Sequence, residues 1–184
     1  MAAARKQQGL VLLVRHGKAE DVHSMGDGAR ALTEDGRAAF REHCQMLVSD
    51  GALALQGIAV SPLVRAVQTA EILAEACDLR RVVVRGELDA ELASARSIEQ
   101  LALSLGPGWA LVGHNPSLAD GLAQMLRQSG ATPRFRKGAV AALELPASTG
   151  GAWKLAWMAA PGRDVSSTVD KPGRARSART PGAS

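Results

Sequence analysis

The chain has 184 residues with 46% hydrophobic side chains, which is enough for one domain with a buried core. Its net charge of +4 and its pI of about 9.6 arise mainly from residues 161–184, where five basic and two acidic residues give a net +3. That segment lacks aromatic residues and hydrophobic periodicity, which predicts a disordered basic tail after a domain at residues 9–160. With no Tyr, two Phe and three Trp, the chain offers few rings for stacking, so nucleic acid is not expected as a partner.

The N-terminus and the cysteines indicate the compartment. The apolar run that follows the positively charged segment 1–9 is too short for a membrane span and lacks a small-residue cleavage site. A cytoplasmic protein is therefore expected. Cys44 and Cys77 lie on apolar stripes of predicted helices, so we expect buried thiols rather than a disulfide. No pair of histidines or cysteines has the spacing of metal ligands, and nothing in the sequence demands more than a monomer.

The first predicted elements are a strand and a helix that are separated by a glycine-rich loop. The run Leu10–Val14 is apolar throughout and lies between two glycines, which is typical of a strand buried on both faces of a parallel sheet. A helix is expected within residues 32–51, with Thr33 as its N-cap. The intervening loop, residues 18–32, follows polar residues at the end of the strand, so it is predicted to form one wall of a pocket.

Strands and helices continue to alternate along the chain. Further strands are predicted at 57–61, 81–84, 109–113, 139–145 and 152–160, and further helices at 62–77, 94–106 and 116–128. The helix at 62–77 has an apolar stripe that consists of Leu63, Val67, Ala70, Ala74 and Cys77. Arg65 does not belong to this stripe. The alternation predicts an α/β fold with a mostly parallel sheet that is covered by helices on both faces. The last two strands are typical of a hairpin or a sheet edge.

Polar residues follow three of the predicted strands at their carboxyl ends, where open α/β sheets bind ligands. Arg15 and His16 follow the first strand, and His114 follows the fourth. The second strand ends in Ser61-Pro62, which is predicted to cap the next helix, and Arg65 projects from the first turn of that helix. Two arginines, two histidines and two helix N-termini favour an anion, and phosphate most naturally.

The other two histidines are expected to lie outside this site. His23 is in the glycine-rich loop, and His43 is in the middle of a predicted helix beside charged neighbours. Both are therefore predicted to be exposed to solvent.

Three motifs, in order and spacing, resemble those of the histidine phosphatase superfamily, which has the phosphoglycerate mutase-like fold: RHGKA (15–19), SPLVRAVQTAEI (61–72) and VGHNPSL (112–118). The short length, the stretch RALTEDG (30–36) and the closing KGAVAALEL and WKLAWM resemble the compact bacterial phosphohistidine phosphatases of the SixA branch. The resemblance covers residues 10–160. It implies a three-layer α/β/α sandwich, no metal, no cofactor and a phosphohistidine intermediate.

The resemblance also implies roles for individual residues. His16 matches the nucleophile of the family, Arg15 and Arg65 match the phosphate clamp, and His114 matches the second histidine of the pocket. Arg30 is a further candidate for phosphate contact. Elementary chemistry agrees with these roles, because two adjacent guanidinium groups disfavour protonation of a nucleophilic imidazole and match the oxygens of a transferring phosphoryl group.

The general acid is the point at which the sequence departs from the larger phosphatases of the superfamily. The corresponding stretch, residues 85–97, offers Glu87, Asp89 and Glu91, but Ala90 falls nearest to the acid position. An alkoxide leaving group needs a positioned acid, and its loss typically costs about a hundredfold to ten-thousandfold in rate. An imidazole leaving group needs less help, so the absence of such an acid favours a phosphoramidate substrate.

These observations predict a hydrolase that acts through a covalent His16 intermediate on phosphohistidine of a signalling protein. One alternative is a phosphomonoesterase for small phosphorylated molecules with Glu87 or Glu91 as general acid. Another is a non-catalytic module that binds phosphoproteins. Independently of these, the basic tail could tether the chain to nucleic acid or acidic lipid.

Overall fold

The computed structural model describes residues 9–127, 134–148 and 151–166. The strands are β1 Leu10–Arg15, β2 Gly57–Val60, β3 Val82–Val84, β4 Trp109–Gly113, β5 Val140–Glu144, β6 Lys154–Ala160 and β7 Arg163–Ser166. The α-helices are α1 Glu34–Ser49, α2 Val64–Ala76, α3 Ala95–Leu105 and α4 Ser117–Met125. One sheet contains all seven strands in the order β3-β2-β4-β1-β5-β6-β7. Strands β1 to β4 are parallel, and β5, β6 and β7 extend the sheet in antiparallel fashion.

Strand β1 lies at the centre of the sheet and contributes to a hydrophobic core on each face. Leu12 and Val14 pack with side chains of α1 and α2, such as Phe40 and Leu73. The alternate residues of β1 pack with α3 and α4 on the opposite face. This alternation confirms the predicted α/β fold with three layers, and it explains why residues 10–14 of the first strand are all apolar.

Local capping fixes the helix starts next to the site. The Thr33 side chain accepts a hydrogen bond from the backbone N–H of Gly36, as predicted, and Ser94 forms a capping box with Ser97 at the start of α3. A Cβ atom at Gly36 would lie 2.1 Å from the carbonyl oxygen of Lys18. Glycine at this position therefore allows α1 to pack directly against the loop that follows β1.

The predicted start of α2 is wrong, and its predicted buried face is only partly right. The helix begins at Val64, and its N-cap residue Leu63 provides no side-chain hydrogen bond. Ala70 and Ala74 of the predicted stripe are buried, whereas Leu63, Val67 and Cys77 are half-buried, and the buried face extends to Ala66 and Leu73. Arg65 was expected off the apolar stripe, yet only 5% of it is exposed.

Strand β7 revises the expected boundary between domain and tail. Arg163–Ser166 pairs with β6, so the sheet continues past the predicted end of the domain at residue 160. The rest of the predicted tail, residues 167–184, lies outside the described residues. Cys44 is buried and Cys77 is half-buried, and both are free thiols, which confirms the prediction for the cysteines. None of the described helices is long and apolar enough to cross a bilayer.

The expectation that His43 is solvated is also wrong. Its side chain lies on the buried face of α1 between Phe40 and Cys44, and only 3% of the residue is exposed. Neither ring nitrogen has a hydrogen-bond partner among the described residues. Burial lowers the pKa of His43 from 6.5 to about 4. The charged neighbours in the sequence lie on the other side of the helix, so they did not indicate the position of His43.

The substitution His43→Leu is expected to stabilise the protein by about 1–2 kcal/mol at pH 7.5, because it removes two buried, unpaired nitrogens. The gain should grow as the pH falls from 6.5 towards 4. In that range the unfolded wild-type chain binds a proton at His43 that the folded chain does not bind. Urea unfolding at several pH values measures both effects, with Glu42→Leu on the exposed side of α1 as the control. A gain that is absent, or that does not change with pH, would contradict the buried, neutral state of His43.

Candidate active site

The site lies where three parallel strands end side by side. Strands β2, β4 and β1 are neighbours in the sheet, and their carboxyl ends are followed by Ser61, His114 and His16. The backbone N–H of His16 donates to the carbonyl of Gly113, and that of Ser61 donates to the carbonyl of Val112. These bonds continue the ladder past the strands, so the positions of the three side chains are set by the sheet itself.

The two histidines are close together and almost completely buried. The centroids of the His16 and His114 rings are 5.0 Å apart with the planes tilted by 50°. His16 is 7% exposed and His114 is 3% exposed. This pairing follows from the adjacency of β1 and β4.

The hydrogen bond of His16 fixes its tautomer. Nδ1 lies 2.8 Å from the carbonyl oxygen of Gly17, which can only accept, so Nδ1 must hold the proton. In the neutral ring Nε2 is then unprotonated and has a free lone pair. The N–H of Gly17 donates to the hydroxyl of Thr69, which in turn donates to the carbonyl of Arg65. Helix α2 thereby holds the loop that orients His16.

Burial and positive charge keep both rings neutral. Desolvation lowers the pKa of His16 from 6.5 to about 3, with further lowering by the charges of His114, Arg65 and Arg15 and partial compensation by the bond to Gly17. The pKa of His114 is lowered to about 4, mainly by desolvation and next by the charge of Arg65. Unprotonated Nε2 is therefore the dominant form of His16 at neutral pH, as a nucleophile requires.

Ser61 acts on the His114 ring. The hydroxyl oxygen of Ser61 is 2.7 Å from Nε2 of His114, and it also accepts a bond from the N–H of Leu63 at 3.4 Å. A hydroxyl can donate one bond and accept two, so the Ser61 hydroxyl either donates to Nε2 of His114 or accepts from it. Nδ1 of His114 is buried and has no partner among the described residues. When Ser61 donates, Nδ1 holds the proton of the ring and is a suitable ligand for an anion oxygen.

The predicted arginines lie at the same edge of the sheet, and each is held by a neighbour. Nη1 of Arg15 donates to the carbonyl of Phe135 at 2.9 Å, and Nε of Arg15 is buried without a partner in the described structure. Arg65 donates from Nη1 to the carbonyl of Asp27 and from Nη2 to the carboxylate of Asp27, at 2.7 and 2.8 Å. The charges of Arg15 and Arg65 both act on the two histidines.

Asp27 was not expected from the sequence, and it joins two of the predicted arginines. Its carboxylate accepts from Arg30 at 2.6 Å as well as from Arg65. The hydrogen bond from Arg30, and next in size the one from Arg65, lower the pKa of Asp27. Arg30 also donates to the carbonyl of Glu20. The loop predicted as a pocket wall is thus fastened to α2 through Asp27, and Arg30 belongs to this network.

Among the three candidate acids, Asp89 is the one whose charge acts on the site. The negative charges of Asp89 and Asp27 raise the pKa of His114 against the larger lowering effects. Asp89 is half-buried, and its Oδ1 accepts from the N–H of Glu91, while the side chains of Glu87 and Glu91 are exposed. Of the three carboxylates, Asp89 is therefore the one with an electrostatic effect on His114.

The tautomers can be tested without a substrate. In ¹⁵N NMR spectra, His16 should show a protonated Nδ1 and an unprotonated Nε2, and the rings of His16 and His114 should both stay neutral down to pH 5. The variant Ser61→Ala should change the Nε2 shift of His114 and leave that of His16 in place. The control Ser117→Ala removes a hydroxyl that donates to the carbonyl of His114 rather than to its ring, so it should leave the ring shifts unchanged. A protonated Nε2 on His16 would contradict the geometry.

Comparison with known proteins agrees with this site. Residues 11–92 match the model of the histidine phosphatase superfamily (branch 1), a segment that includes His16 and Arg65 but ends before His114. No curated protein is similar enough to the chain to count as a match. The structure of the protein histidine phosphatase SixA complexed with tungstate has 24% sequence identity and a TM-score of 0.69, covering 83% of this chain and 97% of its own.

Further solved structures share the fold. One from Agrobacterium tumefaciens that is also named SixA has 23% identity and a TM-score of 0.68, covering 84% of this chain and 99% of its own. A phosphoserine phosphatase from Entamoeba histolytica has 17% identity and a TM-score of 0.59, covering 83% of this chain and 98% of its own. The chain is thus similar to the histidine phosphatase superfamily over residues 11–92 and shares the fold of these solved structures.

Proposed function

We propose that the protein is a phosphatase in which Nε2 of His16 attacks phosphorus and forms a covalent phosphohistidine. The observation that supports this most directly is a neutral His16 whose Nδ1–H is held by Gly17 and whose Nε2 lone pair is free. Similarity to the histidine phosphatase superfamily over residues 11–92 supports phosphatase activity. Binding of tungstate, a tetrahedral oxyanion, to the structurally similar SixA agrees with an oxyanion site in this fold.

The first step exchanges one bond to phosphorus for another. The P–Nε2 bond forms as the bond to the leaving group breaks, and the leaving group departs with the electron pair of that bond. In this proposal Arg15, Arg65 and the His114 ring stabilise the negative charge on the phosphoryl oxygens. In the second step water attacks phosphorus, phosphate is released, and His16 regains its lone pair.

We propose phosphohistidine on a protein as the preferred substrate. An imidazole leaves phosphorus more easily than an alkoxide, so hydrolysis depends little on a general acid. A second candidate is a phosphomonoesterase for small molecules, which the position of Asp89 favours, because a carboxylic acid near His114 could protonate an alkoxide. For that hypothesis we propose Asp89 as the acid rather than Glu87 or Glu91, because the charge of Asp89 acts on His114.

The covalent step is tested by trapping the intermediate. Wild-type protein that is mixed with a ³²P-phosphohistidine peptide and quenched in alkali should hold label that is lost in acid, because phosphohistidine is labile in acid. His16→Ala should remain unlabelled and lose at least about a thousandfold in hydrolysis, since removal of a nucleophile costs this much or more. A wild-type protein that binds the peptide but is neither labelled nor active would be a binding module, and the proposal would be wrong.

The substrate class is tested with Asp89→Asn and the control Glu91→Gln. On a phosphohistidine peptide, Asp89→Asn should keep kcat/KM within about threefold of wild type. On an alkyl phosphate the same variant should lose about a hundredfold or more if Asp89 is the acid. A loss of that size on the peptide would reject phosphohistidine as the preferred substrate in favour of the phosphomonoesterase.

A further inference from the structure

A basic cleft lies beside the two histidines, and among its cations only Arg15 takes part in the proposed chemistry. The cleft has a volume of about 740 Å³, and its charged lining residues are Arg15, Lys18, Arg134, Arg136 and Lys137. None of its lining residues among the described part of the chain is acidic. Arg15 and Asn115 line the cleft and are the chain neighbours of His16 and His114, so the cleft opens directly next to the site.

One wall of the cleft is fixed by the residues that form the site. The carbonyl of Phe135 accepts from Arg15 at 2.9 Å and from the Asn115 amide at 3.0 Å, while the Phe135 side chain is buried. The N–H of Gly138 donates to the carbonyls of Arg15 and His16. Because Phe135 points into the core, its neighbours Arg134 and Arg136 are left exposed at the cleft. The wall is a built feature of the active site.

The positive charge of this wall is not compensated within the described structure. Arg134, Arg136 and Lys137 form no ion pair with any residue in the described ranges, whereas Arg30 and Arg65 are paired with Asp27. Lys18 lies 3.6 Å from Asp35, and both side chains are largely exposed. A concave surface with several unpaired cations attracts an anionic partner and repels a cationic one.

The size and exposure of the cleft favour a polypeptide as that partner. A volume of about 740 Å³ lies in the range of pockets that take ligands much larger than a phosphate group. Arg134, Arg136 and Lys137 are exposed at the rim rather than enclosed. Exposed cations at the rim can form ion pairs with a protein surface that lies outside the pocket. A phosphohistidine bound at His16 would place the backbone that bears it at this rim.

We infer that the cleft binds acidic side chains that flank the phosphohistidine of the substrate protein. The inference depends on the proposed function, and it adds the kind of protein that the enzyme selects. Aspartate or glutamate residues next to the phosphorylated histidine would pair with the cleft cations, raise the association rate and lower KM. The chemical step would be unaffected by Arg134, Arg136 and Lys137, because these three cations have no part in the proposed chemistry.

The test compares two phosphohistidine peptides that differ only in their flanks, one with Asp and Glu and the other with Asn and Gln. Wild type should hydrolyse the acidic peptide with about tenfold higher kcat/KM at low salt, and the difference should shrink in 0.5 M salt because the charges are screened. The double variant Arg136→Gln/Lys137→Gln should lose this advantage through KM and retain kcat. The control Arg80→Gln/Lys154→Gln removes two exposed cations next to the starts of β3 and β6, at the end of the sheet away from the site. It should behave as wild type.

Three outcomes would overturn the inference while leaving the proposed function in place. In the first, wild type hydrolyses both peptides equally. In the second, the double variant loses the same activity on both peptides. In the third, the double variant loses activity only on a small aryl phosphate that bears a carboxylate. The last result would assign the cleft to a small anionic substrate. Failure of wild type to hydrolyse or be labelled by either peptide would instead reject the proposed function.

Discussion

The structure of the site depends on placing two neutral imidazoles side by side in a buried environment. Parallel pairing of β1 with β4 puts His16 and His114 at adjacent strand ends, and the surrounding layers remove both rings from water. Desolvation disfavours the charged form of each ring, so the same burial that holds the rings also keeps a nitrogen lone pair available. Position and reactivity therefore have one physical origin.

Positive charge in this buried region must be held by fixed partners. Arg65 is bound by both the carbonyl and the carboxylate of Asp27, and Arg15 is bound by the carbonyl of Phe135. These contacts hold the guanidinium groups in place before any substrate arrives, which lowers the cost of reorganisation when charge develops on a phosphoryl group. They also link the pocket to two flanking segments, the loop around Asp27 and the basic wall of the cleft.

The sequence was sufficient to predict the layers and the residues that the structure brings together at the candidate site. Continuous apolar runs identify strands buried on both faces, and polar residues directly after those runs indicate the ligand-binding edge. His16, His114 and Arg65 could be found in this way because each lies within five residues of a strand end. The capping of α1 by Thr33 was also predictable, because it depends only on residues close in sequence.

Contacts between distant segments could not be predicted in the same way. Ser61 before a proline is typical of a helix cap, and only the neighbouring strand reveals that its hydroxyl contacts His114. Asp27 lies in a glycine-rich loop without a pattern, and its pairing with Arg65 joins residues 38 positions apart. His43 has charged neighbours in sequence, but the rotation of α1 against the sheet buries it. In each case tertiary packing overrides the local signal.

The central claim is that Nε2 of His16 is the nucleophilic atom, because Nδ1 is committed to the carbonyl of Gly17. The most direct measurement is the position of phosphorylation on His16 in the alkali-trapped intermediate, determined by ³¹P and ¹⁵N NMR. The account predicts that phosphorus is bonded to Nε2. Phosphorus on Nδ1, or on any residue other than His16, would contradict it.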